Sequence, residues 1–92
     1  MALTNINFIM NLVDEYLEGK TSRIEFEFEF ETELSSRYKK MQREDAEYAE
    51  IIYDWLFVAG IDAGTHFSDA QFKRLMKRQY NEVRDIADGG FC

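Results

Sequence analysis

The chain has 92 residues, of which 46% are hydrophobic and 15% aromatic, and it carries a formal net charge of −7. This composition predicts one globular domain spanning residues 1–92 and excludes a disordered chain, because eight Phe and five Tyr supply apolar surface for a core. No apolar run approaches the roughly 20 residues that span a bilayer. The single cysteine cannot form a disulfide within the chain. The first residues lack the basic start of a secretory signal, so we expect a cytoplasmic protein.

Charge is arranged in alternating blocks along the sequence. Residues 1–33 hold eight acids and two bases, and residues 34–44 hold four bases and one acid. Residues 45–69 hold six acids and neither Lys nor Arg, whereas residues 70–92 hold five bases and three acids. A negative balance repels nucleic acid and anionic membranes and attracts basic partners. We therefore expect no direct contact with nucleic acid or membrane.

The first predicted element is a helix from about Thr4 to Glu18. Its apolar residues recur at three- and four-residue spacing, which places them on one helical face. Gly19 follows as a C-terminal stop, because glycine readily adopts the left-handed backbone that ends a helix. The residues of the apolar face are Phe8, Ile9, Leu12, Val13, Tyr16 and Leu17.

The second element combines two conflicting signals. Residues 24–31 alternate between apolar side chains and glutamate, which is typical of a half-buried strand. Ser22 and Glu25 fit a capping box at a helix start, however, and Glu has low strand propensity. No second strand-like segment is present for pairing, so we predict a helix from Ser22 to about Lys40. Its core stripe is Phe26, Phe30, Leu34, Tyr38 and Met41, with Phe28 off to one side.

The third predicted helix runs from about Glu44 to Ala59 and stops at Gly60. Its apolar face comprises Ala49, Ile52, Tyr53, Leu56 and Phe57, broadened by Ala46 and Trp55.

The fourth predicted helix starts at Ser68, which forms a second capping box with Gln71. Gly89 and Gly90 end this helix, and Phe91–Cys92 is expected to be a loose tail. Four amphipathic helices with short connections predict an all-α fold, an antiparallel four-helix bundle. The apolar face of the fourth helix is Phe72, Leu75, Met76, Gln79, Val83 and Ile86.

Residues that support catalysis or metal binding are scarce in this sequence. His66 lies beside Ser68 and Asp69, but residues this close in sequence rarely adopt the geometry of a catalytic triad. Cys92 lies in the expected loose tail, where no base is held against it. No cysteine or histidine pair has metal-ligand spacing, and no glycine-rich phosphate loop occurs. We therefore expect no enzyme, cofactor or metal site.

Acidic residues bracket the third helix and the loop after it: Glu47, Glu50, Asp54, Asp62 and Asp69. The first three fall at three- and four-residue spacing and so share one face of an α-helix. One interpretation is an ordinary solvated face, and the other is an anionic docking surface for a basic protein. The basic residues of the fourth helix are expected to pair with neighbouring acidic helices, namely Lys73, Arg74, Lys77 and Arg78.

Three segments resemble the colicin D immunity protein family: residues 11–26 (NLVDEYLEGKTSRIEF), 52–57 (IYDWLF) and 67–72 (FSDAQF). They are similar to the family's first helix and turn, to the end of its third helix and to the start of its fourth. The resemblance covers about residues 5–88. Immunity proteins of contact-dependent growth inhibition systems include members of this kind.

The resemblance implies a four-helix immunity protein that binds a nuclease toxin, often one that cleaves tRNA anticodon loops. Acidic side chains would occupy the basic cleft of the toxin, in a complex of one immunity protein with one toxin domain. In this chain the corresponding loop, residues 60–66, is shorter and poorer in acid than the family's. Asp62 is its matching carboxylate, flanked by Asp54 and Asp69. We therefore predict that the toxin-binding residues are Glu47, Glu50, Asp54, Asp62 and Asp69.

A second hypothesis follows from Phe28, which lies off the core stripe of the second helix. An exposed phenylalanine at that position is typical of a contact surface, so the alternative is a small non-enzymatic adaptor or a self-associating helical protein.

Overall fold

The computed structural model describes residues 3–90, and the side chains of residues 3–88. Four helices follow one another: α1 (Thr4–Leu17), α2 (Arg23–Glu44), α3 (Ala46–Ile51) with its continuation, and α4 (Asp69–Asp85). The continuation of α3 is a π-helix, Ile52–Asp62, called the π segment below, and α4 continues as a short π-helix, Ile86–Gly90. Residues 3–90 contain no strand, so the predicted all-α class is confirmed. The predicted tail at Phe91–Cys92 lies outside the described residues.

The chain divides into two compact units between Ala49 and Glu50. In the first unit α1 packs against α2, and in the second the π segment packs against α4. Each unit is a helical hairpin, the component from which an antiparallel four-helix bundle is built. The prediction that residues 1–92 form one domain stays a prediction.

The turn between α1 and α2 ends the first helix as the sequence predicts. Gly19 has a φ of +82°, a left-handed conformation that glycine adopts without a steric penalty. The backbone N–H of Gly19 donates to the Tyr16 carbonyl (3.0 Å), and that of Lys20 donates to the Glu15 carbonyl (2.9 Å). These two bonds form a Schellman motif, which satisfies carbonyls at the helix end and turns the chain back along α1.

Residues 24–31 are helical, and the alternative of a strand there is wrong. The Ser22 hydroxyl oxygen accepts the Glu25 N–H (3.2 Å) and caps the helix. The predicted core stripe is buried at Phe26, Phe30, Leu34 and Met41. The Tyr16 ring stacks on Phe26 with centroids 4.6 Å apart, so the cap and the aromatic core together favour helix over the alternating pattern.

The far end of the first hairpin is held by a carboxylate from the other helix. No side chain caps α1 at its own N-cap, Leu3. Instead Glu44, at the end of α2, accepts the backbone N–H groups of Asn5 (2.9 Å) and Ile6 (3.0 Å). These donors are otherwise unsatisfied at a helix start, which explains why α2 continues past the predicted end at Lys40 to Glu44.

In the second hairpin the prediction that Gly60 stops the third helix is wrong. The helix passes through Gly60 to Asp62, and Gly60 is buried. A Cβ built on Gly60 would lie 2.8 Å from the Met76 sulfur, and one on Gly64 would lie 2.9 Å from the Phe72 ring. Both glycines therefore permit close approach to α4, and neither acts as a helix breaker.

The start of α4 confirms the predicted capping box. The Ser68 hydroxyl oxygen accepts the Gln71 N–H (3.2 Å), and the Gln71 side-chain oxygen accepts the Ser68 N–H (3.1 Å). Phe72, Met76 and Val83 are then buried at helical spacing. The amphipathic pattern of this helix therefore gives the correct inner face.

Candidate functional site

The π segment decides which residues of the third helix face outwards. Its buried residues are Ile52, Leu56, Gly60 and Ile61. In an α-helix, which turns about 100° per residue, Ile61 would lie opposite Ile52. A π-helix turns about 80° per residue, so nine residues complete about two turns and return Ile61 to the buried side. The wider turn therefore allows this almost uniformly apolar run to bury both isoleucines.

The same geometry gathers the exposed residues on one side. The exposed residues of the π segment are Tyr53, Asp54, Val58 and Asp62. At about 80° per residue these four fall within a sector of about 80°, whereas α-helical turning would spread them over about 180°. Glu50, four residues before Asp54 and near the end of α3, is also exposed and continues the row. We call Glu50, Tyr53, Asp54, Val58 and Asp62 the acidic face.

Within residues 3–88, no basic side chain forms an ion pair with a carboxylate of the acidic face. Glu50, Asp54 and Asp62 have no ion pair among the residues whose side chains are described, 3–88. In the first hairpin, by contrast, Glu27 pairs with Arg23 at 2.9 Å. The oxygens of these three carboxylates are therefore accessible to the basic groups of a partner.

Two of the predicted binding residues lie outside the acidic face. Glu47 is exposed on α3 but precedes the division between the two units. Asp69 is the first residue of α4, where the helix dipole favours a negative charge. The predicted α-helical grouping of Glu47 with Glu50 and Asp54 assumed one regular helix, which the π segment interrupts after Ile51.

Two apolar members of the acidic face were missed by sequence reasoning. α-Helical spacing predicts Tyr53 on the buried face, yet it is 41% exposed, and Val58 is 44% exposed. Only Asp54 is charged between Ile51 and Ile61, so the run lacks the polar contrast that reveals a helical face. The four- and five-residue spacing of Ile52, Leu56 and Ile61 is the one signal that indicates the wider turn.

The acidic face has the composition of a protein-binding surface. An aromatic and an aliphatic side chain are flanked by carboxylates, which matches the apolar centre and polar rim of protein interfaces. Tyr53 packs beside Phe57 with ring centroids 5.5 Å apart, and this contact restrains its position on the helix. A restrained, half-exposed tyrosine is among the residue types that contribute most to binding.

Features of other site classes are few in the part of the chain that the structure describes. No three His, Cys, Asp or Glu side chains there are grouped as metal ligands would be. His66 is exposed in the turn before α4, and the neighbouring Ser68 hydroxyl is engaged in the helix cap. Among residues 3–90, no helix has both the length and the apolar character that crossing a bilayer requires.

The chain was also compared with known proteins. No protein-family model matches it, and neither does any curated protein or solved structure. The resemblance to the colicin D immunity proteins therefore stays a prediction. The functional interpretation depends on the residues of the acidic face.

Proposed function

We propose that this protein is an immunity protein that binds a basic bacterial nuclease domain, of the tRNA-cleaving class, and blocks its active-site cleft. The observation that carries the proposal is the row of exposed carboxylates Glu50, Asp54 and Asp62 around Tyr53 and Val58, none of which has an ion pair with another described side chain. The acidic sequence, with its net charge of −7, adds a long-range attraction for a basic partner. The protein acts in the cytoplasm, as a monomer in a complex of one protein with one toxin domain.

Inhibition follows from the chemistry of nuclease clefts. A cleft that binds a nucleic-acid backbone presents Lys and Arg side chains to phosphate oxygens. Carboxylates on a helix present oxygens of the same charge sign, and charge-assisted hydrogen bonds to Arg or Lys hold them there. Tyr53 and Val58 exclude water at the centre of the contact, which strengthens the surrounding charge pairs. The nuclease then cannot admit its substrate.

The proposal is tested by co-expression with a basic toxin domain encoded beside this chain. Wild-type protein is expected to protect the cells, and the double variant Asp54→Lys, Asp62→Lys is expected to fail. Truncating one partner of a buried interfacial charge pair costs about 2–5 kcal/mol, which is roughly 30-fold or more in Kd. Reversal of the charge adds repulsion to that loss.

The control for this experiment is Glu82→Lys, which makes the same charge change as either single substitution, at an exposed position of α4. It is expected to protect as well as the wild type. If the double variant protects fully, or if Glu82→Lys fails equally, the acidic face is not the inhibitory surface.

A self-associating adaptor is the second candidate function, and one observation favours it. Phe28, on α2, is 71% exposed. A side chain that packs against a second copy of the protein is exposed in this way when that copy is absent. Sedimentation separates the two functions. An adaptor of this kind would form a stable homodimer that Phe28→Ser abolishes, whereas an immunity protein sediments as a monomer until its toxin is added.

A further inference from the structure

The two most exposed large apolar side chains of the described residues lie next to each other at the start of α2. Ile24 is 80% exposed and Phe28 is 71% exposed. They are four residues apart, so they are neighbours on one helical face. We call Ile24 and Phe28 the apolar pair. It belongs to the first unit, whereas the acidic face belongs to the second.

The apolar pair contributes little to the fold of its own hairpin. The inner side of α2 is formed by Phe26, Phe30 and Leu34, which are all buried. Polar residues could replace Ile24 and Phe28 without removing core contacts, and such surface substitutions usually change stability by less than about 0.5 kcal/mol. Adjacent exposed apolar side chains that do not serve the core mark an interaction surface.

The charges around the apolar pair identify the kind of partner. Exposed glutamates lie within one helical turn of Phe28, at positions 25, 29 and 31. Glu29 and Glu31 have no ion pair within the described side chains. Two other glutamates of α2 differ in this respect, since Glu27 pairs with Arg23 and Glu33 pairs with Arg37. The surface is therefore apolar at its centre and anionic at its edge.

We propose that the apolar pair and its glutamates bind an amphipathic segment of a cationic protein, with apolar side chains flanked by Lys or Arg. Apolar side chains would pack on Ile24 and Phe28 while the cations reach Glu29 and Glu31. A second copy of this chain fits poorly, because a two-fold contact places the same glutamates opposite each other. Nucleic acid and anionic membranes are repelled by the same charges. This surface does not depend on the proposed function.

The probe is a fluorescein-labelled helical peptide built from Leu and Lys, with binding followed by anisotropy. The protein is the full chain carrying Asp54→Asn and Asp62→Asn, which removes two of the three carboxylates of the acidic face and so reduces its competition for the peptide. We expect Ile24→Ser with Phe28→Ser to weaken binding at least 10-fold, as loss of a central anchor does. Glu29→Gln with Glu31→Gln is expected to weaken it several-fold and to flatten its salt dependence.

Two controls separate this surface from general attraction between opposite charges. A peptide of the same charge without leucine is expected to bind far more weakly than the Leu–Lys peptide. Phe67→Ser changes an exposed phenylalanine in the second unit and is expected to leave the affinity unchanged. Thermal melts of every variant confirm that the hairpin is folded.

Three outcomes would overturn the proposal. The first is equal binding of the peptide without leucine. The second is an affinity that Ile24→Ser and Phe28→Ser leave unchanged. The third is a stable homodimer of the protein alone that Phe28→Ser dissociates, since the occupant would then be a second copy. None of these outcomes depends on whether the protein inhibits a nuclease.

Discussion

The two hairpins use their charged side chains in different ways. In the first hairpin Arg37 donates to Glu33 and to the Asn5 side chain, both at 2.8 Å, and Glu44 accepts the backbone of α1. In the second hairpin the three carboxylates of the acidic face have no ion pair within the described side chains. The packing there combines apolar contacts, close approach at Gly60 and Gly64, and a hydrogen bond from the Gln79 side chain to the Ala59 carbonyl (3.2 Å).

This difference identifies the charges that are available for binding. Carboxylates that cap a helix or hold an arginine have their oxygens occupied within the fold, whereas unpaired ones can meet a partner. The sequence predicts that the basic residues of α4 pair with acidic helices. Arg74, Lys77 and Arg78 form no such pair with the side chains of residues 3–88. The second hairpin therefore presents unpaired charge of both signs.

The largest stability effect is expected where the second hairpin packs most closely. Gly64→Ala would place a methyl group 2.9 Å from the buried Phe72 ring and 3.0 Å from Leu75. Such overpacking costs typically about 1–3 kcal/mol, and the rigid ring favours the upper end. Urea denaturation measures the loss. Gly60→Ala is the matched variant and is expected to cost less, because its nearest neighbour is the flexible Met76 side chain. Equal and negligible costs would refute the close-approach account.

The next largest effect concerns the Glu44 cap, which joins the end of α2 to the start of α1. Glu44→Gln replaces a carboxylate that caps α1, and hydrogen bonds to a charged group are worth about 1.5–3 kcal/mol. Partial burial of Glu44 tends to raise its pKa, but the N–H groups of Asn5 and Ile6 outweigh burial and hold the pKa below its usual value of 4.5. The ionised form is therefore favoured in the folded state.

The pH dependence of Glu44 follows from that direction. When the pH falls below about 4.5, the unfolded state takes up the proton before the folded state does. The stabilisation by Glu44 is thus complete above that pH and is lost as the pH falls through the folded-state pKa. Urea titrations at several pH values measure the difference in free energy of unfolding between the wild type and Glu44→Gln. This difference is expected to shrink as the pH falls below 4.5. A difference that is independent of pH would contradict the assigned cap.

The smallest expected effect is the loss of stability on replacing Arg37, for which Arg78 is the control. Arg37 contacts Glu33 and Asn5, and its guanidinium lies 3.8 Å above the Phe8 ring. Arg37→Ala is expected to cost about 1 kcal/mol, since each of these contacts is partly exposed. Arg78→Ala, which removes a side chain without an ion pair among the described residues, is expected to change stability by less than about 0.5 kcal/mol. Equal costs in urea denaturation would remove the contrast between the hairpins.

Local signals in the sequence predict most of the fold. The capping residues Ser22 and Ser68 and the stop at Gly19 give helix boundaries within a few residues, because each acts on its own backbone neighbours. The Glu44 cap was not predictable in this way, since it joins residues 38 and 39 positions apart in the chain. Contacts of that range depend on how the hairpin packs.

The candidate site was predicted only in part. The charge pattern identifies Glu50, Asp54 and Asp62, and all three are exposed on the acidic face. Tyr53 and Val58 were not identified, because α-helical spacing assigns the wrong orientation to residues in a π-helix. Gly60 and Ile61 are buried in the π segment, and Gly60 lies close to Met76 of α4; periodicity within one helix does not contain such long-range contacts.

The most direct test of the account is the rate of association between this protein and a basic nuclease domain encoded beside it, measured by stopped flow at increasing ionic strength. The account predicts fast association that slows steeply with salt, and a much shallower salt dependence for Asp54→Asn with Asp62→Asn. Glu82→Gln should retain most of the wild-type salt dependence. Equal slopes for the wild type and the Asp54→Asn, Asp62→Asn variant would show that the acidic face does not guide or hold the partner.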